Sequence, residues 1–529
     1  MQRRQAITAT AATAATWGAT AVLPGAGALW AGLWPRPADA ARGAGGQRHA
    51  LLIGVSALAR QPAALWLKGP AHDVVAMRKV LGGHGFLPQH ITVLADGVAG
   101  TVAPSPDRAE VLKALQAQGR RLAPGDTVLL FWSGHGVRVA APAALANEPD
   151  GQRTCLLTSD AARLPAGSAW PLQGAVSDAE IGQCVDDWLA RGAHVVLAVD
   201  ACHAASATRS SVPDLAWRGL RVADLQSLQP LPGSGLRTPA PASSGSPAHP
   251  SAHLSAHLSA QLPDQLPPAR ARPAGYIALL ACESTQRTPE WRGPDGIVRG
   301  LFTSALCAAL APGGGSLPDY AALARGLTAR SRQWAAAAGL PASGWPSPRF
   351  EGTLLAPLWT LVPQAPLRLD DAAAPPPAAL PAGVRVRLAS ALPGTPARSW
   401  DWARQPRLAL GPLPVGAVLD LQLDNTSGLP VDVLLVHVDA AGVQTVLYPA
   451  LAGDSTRFDA GTPRAPARLH RRFDITPGLS PALESLVLQV APVPKDGLPR
   501  EASPAVPPAW QARAGWQVTD AHPGARPPT

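Results

Sequence analysis

Two short stretches, Ser133-Gly134-His135-Gly136 and Asp200-Ala201-Cys202-His203, decide the fold of this 529-residue chain. Each stretch closes a run of mostly apolar residues that includes β-branched ones, at 127–132 and 194–199. Such runs are typical of strands that are buried on both faces of a parallel sheet. In α/β folds the functional side chains gather at the carboxyl ends of the strands. The sequence therefore predicts that His135 and Cys202 lie at one edge of such a sheet.

A histidine beside a cysteine can generate a nucleophile, because neutral imidazole can accept the thiol proton. Each residue alone has an ordinary structural explanation, since buried cysteines behave as small apolar residues and buried histidines are commonly hydrogen-bonded. Their joint placement after two strands, with glycines on both sides of His135, favours a cysteine hydrolase. We predict His135 and Cys202 as the catalytic residues and assign no third side chain.

The order and spacing of these motifs resemble the caspase and metacaspase family of cysteine peptidases. The resemblance covers about residues 48–356 and implies a caspase-like three-layer α/β/α sandwich with a mostly parallel sheet. It also implies cysteine endopeptidase activity on protein or peptide substrates. The segments that carry the resemblance beside the two motifs are 48–55, 67–73, 154–160, 176–181, 276–282, 300–303 and 348–352.

The resemblance also assigns roles around the dyad. It places the oxyanion hole at the backbone N–H groups of Gly136 and Cys202, which would stabilise a tetrahedral intermediate. It places Asp73, Ser133 and Asp200 in the pocket for the residue before the cleaved bond. Carboxylates pair well with guanidinium, so we expect cleavage after Arg or Lys. Aspartate specificity would require a cationic pocket. Asp73 also has an ordinary explanation as an acid at a helix N-terminus.

A calcium site is a second implication of the resemblance. Asp160 and Asp178 are similar to two acids that hold calcium in some members, whereas Ser177 and Arg209 stand where further acids are common. Calcium requires six to eight oxygen ligands with substantial carboxylate charge. We therefore expect no cofactor and keep Asp160 and Asp178 as the weak calcium candidates.

The composition of the chain divides it into five regions. Residues 1–40 resemble an export signal of the twin-arginine type, which predicts a periplasmic or extracellular protein without a stable membrane span after signal removal. The peptidase domain at 48–356 contains a Pro- and Ser-rich insertion at 228–272 that we expect to be disordered. A linker at 371–382 precedes a small all-β sandwich domain at 383–493, and 494–529 is expected to be a Pro-rich tail.

Two functional interpretations of these regions remain open. The insertion contains Arg237, Arg270 and Arg272, which are candidates for self-cleavage, although it can equally be a tolerated surface insertion. The leading interpretation of the whole chain is an endopeptidase. The alternative is a catalytically silent caspase-like scaffold that acts through protein contacts of the β domain. That domain either binds an envelope partner or serves as a spacer.

Charge and cysteine content exclude two further classes. The formal net charge is +9, but no Lys/Arg stripe interleaved with aromatic residues is present, so we expect no nucleic-acid partner. Five cysteines in 529 residues do not make a disulfide scaffold.

Overall fold

The computed structural model describes most of the chain between residues 46 and 519. The described residues are 46–98, 105–140, 152–165, 168, 170–202, 215–227, 275–282, 286–311, 317, 319–341, 344–360, 378–392, 396–439, 442–449, 456–475, 483–493 and 509–519. The expected export signal at 1–40, the expected insertion at 228–272 and most of the expected linker lie outside these ranges.

Twelve strands form in the first part of the described chain. They are β1 (Arg48–Gly54), β2 (Ile91–Ala95), β3 (Thr127–Ser133), β4 (Gly136–Ala140), β5 (Gln152–Arg163), β6 (Leu172–Ser177), β7 (His194–Asp200), β8 (Leu220–Arg221), β9 (Tyr276–Leu280), β10 (Glu290–Arg292), β11 (Val298–Gly300) and β12 (Arg349–Gly352). The helices described in this part are α1 (Pro70–Gly83), α2 (Arg108–Arg121), α3 (Asp178–Ala190), α4 (Leu301–Leu310) and α5 (Tyr320–Ala337).

A six-stranded sheet organises this part of the molecule, in the order β12-β9-β7-β3-β1-β2. The five strands from β9 to β2 are parallel to their neighbours, and β12 joins β9 antiparallel. The two central strands β3 and β7 are buried along their whole length. This burial explains why both read as continuous apolar runs rather than alternating ones.

Helices cover both faces of the sheet. On one face, α2 and α3 pack through Val111, Leu115, Ile181 and Trp188. On the other face α1, α4 and α5 bury a second apolar cluster that includes Phe302. Capping side chains fix several helix starts, because Asp107, Ser177 and Asp319 each accept a backbone N–H at the first turn. The expected mostly parallel sheet in a three-layer α/β/α arrangement is confirmed.

Two small sheets lie at the carboxyl edge of the six-stranded sheet. Strands β6, β5, β4 and β8 form a four-stranded sheet, and β10 pairs with β11 as an antiparallel ribbon. Strand β4 begins at Gly136, directly after His135, and β8 adds to it in parallel through Leu220 and Arg221. The two small sheets therefore lie beside the strand ends that carry the predicted catalytic residues.

The C-terminal part is a β-sandwich. Its strands are β13 (Val384–Ala391), β14 (Arg398–Asp401), β15 (Arg407–Pro414), β16 (Val418–Asn425), β17 (Val431–Val438), β18 (Gln444–Tyr448), β19 (Arg457–Phe458), β20 (Ala467–Asp474), β21 (Leu483–Pro492) and β22 (Trp510–Thr519). One sheet has the order β14-β13-β16-β20, and the other has the order β15-β22-β21-β17-β18 with β19 beside β17.

The expected tail at 494–529 is wrong for residues 510–519. Strand β22 lies inside the larger sandwich sheet, antiparallel to β21 and parallel to β15. Its side chains Trp510 and Trp516 are buried in the sandwich core. Burial of this apolar surface offsets the conformational entropy that is lost when the strand becomes ordered. The Pro-rich composition around residues 510–519 led to the wrong prediction of a tail.

The sandwich packs directly on the α/β part, and residues 45–529 form one compact unit. Leu434, Val436 and Val487 of the larger sandwich sheet share an apolar cluster with α5. Arg325 of α5 donates to the Gln489 side chain over 2.6 Å across the same contact. The sandwich is therefore a structural neighbour of the α/β part and not a loosely tethered module. Among the described helices, none is both long and apolar enough to cross a membrane.

Candidate active site

His135 and Cys202 follow adjacent parallel strands. The register of β3 and β7 pairs Ser133 with Asp200, so both predicted residues lie two positions beyond a paired position. The backbone N–H of Gly134 donates to the carbonyl oxygen of Asp200 over 3.3 Å, which joins the two strand ends. The structure thus brings the two residues to the same sheet edge, as the sequence predicts.

The imidazole of His135 is held by a backbone group. Its Nε2 atom lies 2.8 Å from the carbonyl oxygen of Leu65, and a carbonyl can only accept, so Nε2 carries the proton. The Nδ1 atom is buried without a hydrogen-bond partner among the described residues. Burial lowers the pKa of His135 to about 4, with further lowering by Arg218 and Arg287 against the hydrogen bond to Leu65. The imidazole is therefore neutral near pH 7, with a lone pair available on Nδ1.

Cys202 is fully buried, and its sulfur has neighbours from one loop and one strand end. The backbone N–H of Thr288 donates to Sγ of Cys202, and Sγ also lies 3.8 Å from the Thr288 carbonyl oxygen. The thiol of Cys282, just beyond β9, lies 3.4 Å from the same sulfur. Cys202 therefore has a second thiol in van der Waals contact.

The three predicted pocket residues converge on one internal arginine, Arg218. Its Nη2 atom lies 2.5 Å from an Asp73 carboxylate oxygen, and its Nη1 atom lies 3.1 Å from Asp200. Nη1 also donates to the Ser133 hydroxyl over 2.9 Å. A fourth residue, Glu290, lies 3.3 Å from Nη2. All these side chains are buried or nearly so, and Arg218 has no exposed surface.

The acids of this pocket are oriented by donors other than Arg218. Asp73 accepts from the Gly300 backbone N–H over 3.0 Å and from the Ser133 hydroxyl over 2.7 Å. Asp200 accepts from both the N–H and the hydroxyl of Thr303. Glu290 accepts from the N–H groups of residues 68 and 69. The carboxylates are thus fixed by the scaffold, and the guanidinium fits into a site that the scaffold builds.

The electrostatics of the pocket favour a cation. Burial on its own would lower the pKa of Arg218, but the carboxylates of Asp200, Asp73 and Glu290 raise it, so the guanidinium stays charged. Burial raises the pKa of Asp200, and Asp73 raises it further, against the effect of Arg218. One carboxylate oxygen of Asp200, Oδ1, has no partner among the described residues. Three acids around one guanidinium leave the pocket negative overall.

Glycines make the space that the guanidinium fills. A Cβ atom at Gly69 would lie 2.6 Å from Nη2 of Arg218, and one at Gly300 would overlap the Asp200 carboxylate and the guanidinium. Gly136 has a comparable role beside the nucleophile, because a Cβ there would overlap the Cys202 carbonyl oxygen. Close backbone approach of this kind requires glycine.

The weak calcium candidates have other partners. Asp160 accepts from the Arg108 backbone N–H and the Thr158 hydroxyl, over 3.0 and 2.7 Å. Asp178 accepts from the Ala179 N–H, and Arg153 lies 3.9 Å from it. Within the described ranges no cluster of three or more potential metal ligands is found. Both acids therefore have donors within the protein, and the expectation of no cofactor stays a prediction.

Sequence reasoning missed five contributors to this region. The residues are Leu65, Arg218, Cys282, Thr288 and Glu290. Leu65 and Thr288 act through backbone atoms, which leave no trace in residue type. Arg218 lies in an irregular segment, Glu290 begins the three-residue strand β10, and the contact between them is long-range. Cys282 could only be placed beside Cys202 once β7 and β9 were known to be neighbours.

Comparisons with known proteins relate the first part of this chain to metacaspases. Residues 48–210 match the family described as "Metacaspase, peptidase C14 domain". Over 163 residues, or 31% of this chain, the sequence is 28% identical to Metacaspase-1 of Eremothecium gossypii and to Metacaspase-1B of Aspergillus fumigatus. The matched segment spans 33% and 36% of those two proteins, about a third of their length.

One solved structure is similar over a larger share of the chain. Protein GSU0716 from Geobacter sulfurreducens is 16% identical, with a TM-score of 0.37, and the match covers 60% of this chain and 99% of that one.

Proposed function

We propose that the chain, whose residues 48–210 match a metacaspase family model, is a cysteine endopeptidase that cleaves peptide bonds after Arg or Lys. In this proposal Cys202 is the nucleophile and His135 is the general base. The proton of Cys202 passes to the unpartnered Nδ1 atom of His135, and the thiolate attacks the carbonyl carbon of the substrate. The imidazolium then protonates the leaving amine.

The observation that carries this proposal is the position of Arg218 among Asp73, Asp200 and Glu290. A pocket at the nucleophile's sheet edge already accommodates a guanidinium, with hydrogen bonds to both terminal nitrogens. Charge-assisted contacts of this kind select a cation strongly and reject an acidic side chain. Backbone N–H groups of Gly136 and Cys202 are the proposed oxyanion donors.

The direct test is hydrolysis of fluorogenic peptides that end in Arg, Lys or Asp, under reducing conditions and with and without calcium. We expect cleavage after Arg and Lys, none after Asp, and no calcium requirement. Cys202→Ala should lower kcat/KM by about 10³-fold or more. Cys307→Ala, which alters a half-buried cysteine in α4, is the matched control. Cleavage after Asp alone would contradict the pocket assignment.

The second candidate is a silent scaffold, and complete burial of Cys202 and Arg218 is the observation that favours it. A folded wild-type sample that hydrolyses none of the peptides, before or after prolonged incubation, would support this candidate over the peptidase. Export and an envelope partner for the sandwich remain proposals from the sequence.

A further inference from the structure

Residues 216–218 pair with residues 288–290 as an added strand. The Arg218 backbone N–H donates to the Thr288 carbonyl oxygen over 3.0 Å, and the Glu290 N–H donates to the Ala216 carbonyl oxygen over 2.7 Å. Trp217 and Pro289 form an antiparallel bridge between these two hydrogen bonds. Extended peptides bind proteins by this kind of pairing, with main-chain hydrogen bonds for affinity and side-chain pockets for specificity.

The same segment covers the nucleophile. A Cβ atom at Gly219 would lie 3.1 Å from the Cβ of Cys202, so the backbone of Gly219 is in close contact with the residue that carries the thiol. Arg287 donates to the Gly219 carbonyl oxygen over 2.7 Å and holds it there. Beyond Gly219 the chain continues as β8, paired with the strand that follows His135. The Arg218–Gly219 bond therefore lies beside Cys202, with its arginine in the pocket.

We propose that Arg218–Gly219 is the first peptide bond that this protein cleaves, in its own chain, and that the intact chain is latent until it does so. This inference rests on the proposed peptidase function. It assigns the processing site to a bond upstream of the insertion and not to Arg237, Arg270 or Arg272, which lie outside the described residues.

The chemistry is a complete hydrolysis. The Cys202 thiol gives its proton to Nδ1 of His135, and the sulfur bonds to the carbonyl carbon of Arg218. The bond to the Gly219 nitrogen then breaks, and that nitrogen takes the proton from His135 and becomes a new amino terminus. Water hydrolyses the resulting thioester, which gives an Arg218 carboxylate and restores the thiol.

Cleavage would open the site because it removes the covalent link that holds Arg218 in place. In the intact chain, Arg218 is fixed on its C-terminal side by Gly219 and β8. After cleavage its new carboxylate lies close to the negative pocket, and like charges repel. The pocket acids keep their backbone and hydroxyl donors when Arg218 leaves, so the site remains formed for an incoming Arg or Lys.

The experiment compares freshly synthesised chains by intact mass and N-terminal sequencing over time. Wild type should yield a fragment that begins at Gly219, at a rate that does not change on dilution, because the reaction is intramolecular. Cys202→Ala should stay intact. Arg218→Lys should still be cleaved, and Arg218→Gln should lose this cleavage. Arg221→Gln is the matched control, since Arg221 is an exposed arginine three residues further along that pairs with Asp224.

A second measurement separates this inference from the proposed function. Peptide hydrolysis by wild-type protein whose Arg218–Gly219 bond is intact would overturn the inference and leave the peptidase standing. Cleavage of Cys202→Ala at the same bond would also overturn it, because another protease would then be responsible. Absence of both self-cleavage and peptide hydrolysis would instead overturn the proposed function. Thermal unfolding of Arg218→Gln shows whether its loss of cleavage reflects misfolding. If Arg218→Gln is misfolded, cleavage of Arg218→Lys still tests whether a basic residue is needed at this position.

Discussion

His135 donates its Nε2 proton to the backbone carbonyl oxygen of Leu65, so a main-chain atom orients the imidazole. This carbonyl lies in the third position that the sequence left unassigned. A carbonyl carries no full charge, and it stabilises an imidazolium less than a carboxylate would. Burial lowers the pKa of His135, and the hydrogen bond to Leu65, which raises it, only partly opposes this effect.

The pH dependence of self-cleavage should report this environment. Because burial lowers the pKa of His135 to about 4, its Nδ1 stays available below the ordinary titration of histidine. We expect the cleavage rate at about pH 5.5 to remain close to the rate at about pH 7. An imidazole with an ordinary pKa would already be mostly protonated at about pH 5.5. Quenched time courses of fragment formation measure this. A fall centred near pH 6.5 would contradict the expectation.

Each pocket acid should contribute to recognition of Arg. Asp73→Asn and Glu290→Gln remove a carboxylate from the guanidinium site while they preserve side-chain volume. We expect kcat/KM for Arg peptides to fall by about 100-fold for each, since loss of one partner from a buried charged pair costs several kcal/mol. Asp295→Asn is the control, because Asp295 is an exposed acid that pairs with Arg299. Equal losses in all three variants would show that the pocket is misassigned.

Oxidation should join the nucleophile to its neighbour. The two sulfur atoms of Cys202 and Cys282 lie 3.4 Å apart, and a disulfide requires about 2 Å. Oxidised glutathione should accept the two thiol hydrogens, yielding two reduced glutathione molecules, a Cys202–Cys282 disulfide and an inactive protein that a dithiol reactivates. Peptide mapping identifies the linkage. Cys282→Ala should not form it, whereas Cys307→Ala should. A glutathione adduct on Cys202 as the sole wild-type product would refute the prediction.

Acid should destabilise the fold through His194. Burial lowers the pKa of this histidine, at the start of β7, to about 4. Its folded pKa lies below the unfolded value near 6.5, so its contribution to the free energy of unfolding is complete above about pH 6.5. That contribution is lost as the pH falls towards 4, and it amounts to roughly 3 kcal/mol over the full range.

Denaturant unfolding at several pH values measures this loss. His194→Gln should flatten the dependence between about pH 6.5 and 4. His470→Gln should not, because His470 is exposed beside Asp420. An unchanged slope in His194→Gln would assign the acid sensitivity to other groups.

Removal of the last strand should disrupt the sandwich. A chain that ends at Val493 lacks β22, which leaves β15 without its partner and exposes an edge of β21. We expect loss of cooperative unfolding of the sandwich and aggregation through the exposed edge. A chain that ends at Thr519 is the matched control. Equal thermal unfolding of the two truncated chains would contradict the role of β22.

The strand-end motifs could be recognised in the sequence because parallel strands that are buried on both faces have long apolar runs. The three pocket residues followed from family resemblance, and the structure places them together. The position of Arg218 in the pocket could not be predicted, because its segment has no periodic pattern and its partners come from positions as distant as 73 and 290. Strand β22 did leave a signal: apolar residues alternate there at Trp510, Ala512, Ala514, Trp516 and Val518. The Pro-rich composition around it was given too much weight.

The sheet order of the sandwich has a consequence for synthesis on the ribosome. The α/β sheet has all its strands once Gly352 has emerged, whereas the larger sandwich sheet needs Thr519, because β22 lies between β15 and β21. The ribosome therefore completes the strands of the α/β sheet before it completes the sandwich sheet that covers α5. During that interval the apolar face of α5 that later meets Leu434 and Val487 is exposed to the cell's folding machinery. A nascent chain that stalls there carries the complete parallel sheet, with His135 and Cys202 at its edge, on an unfinished protein.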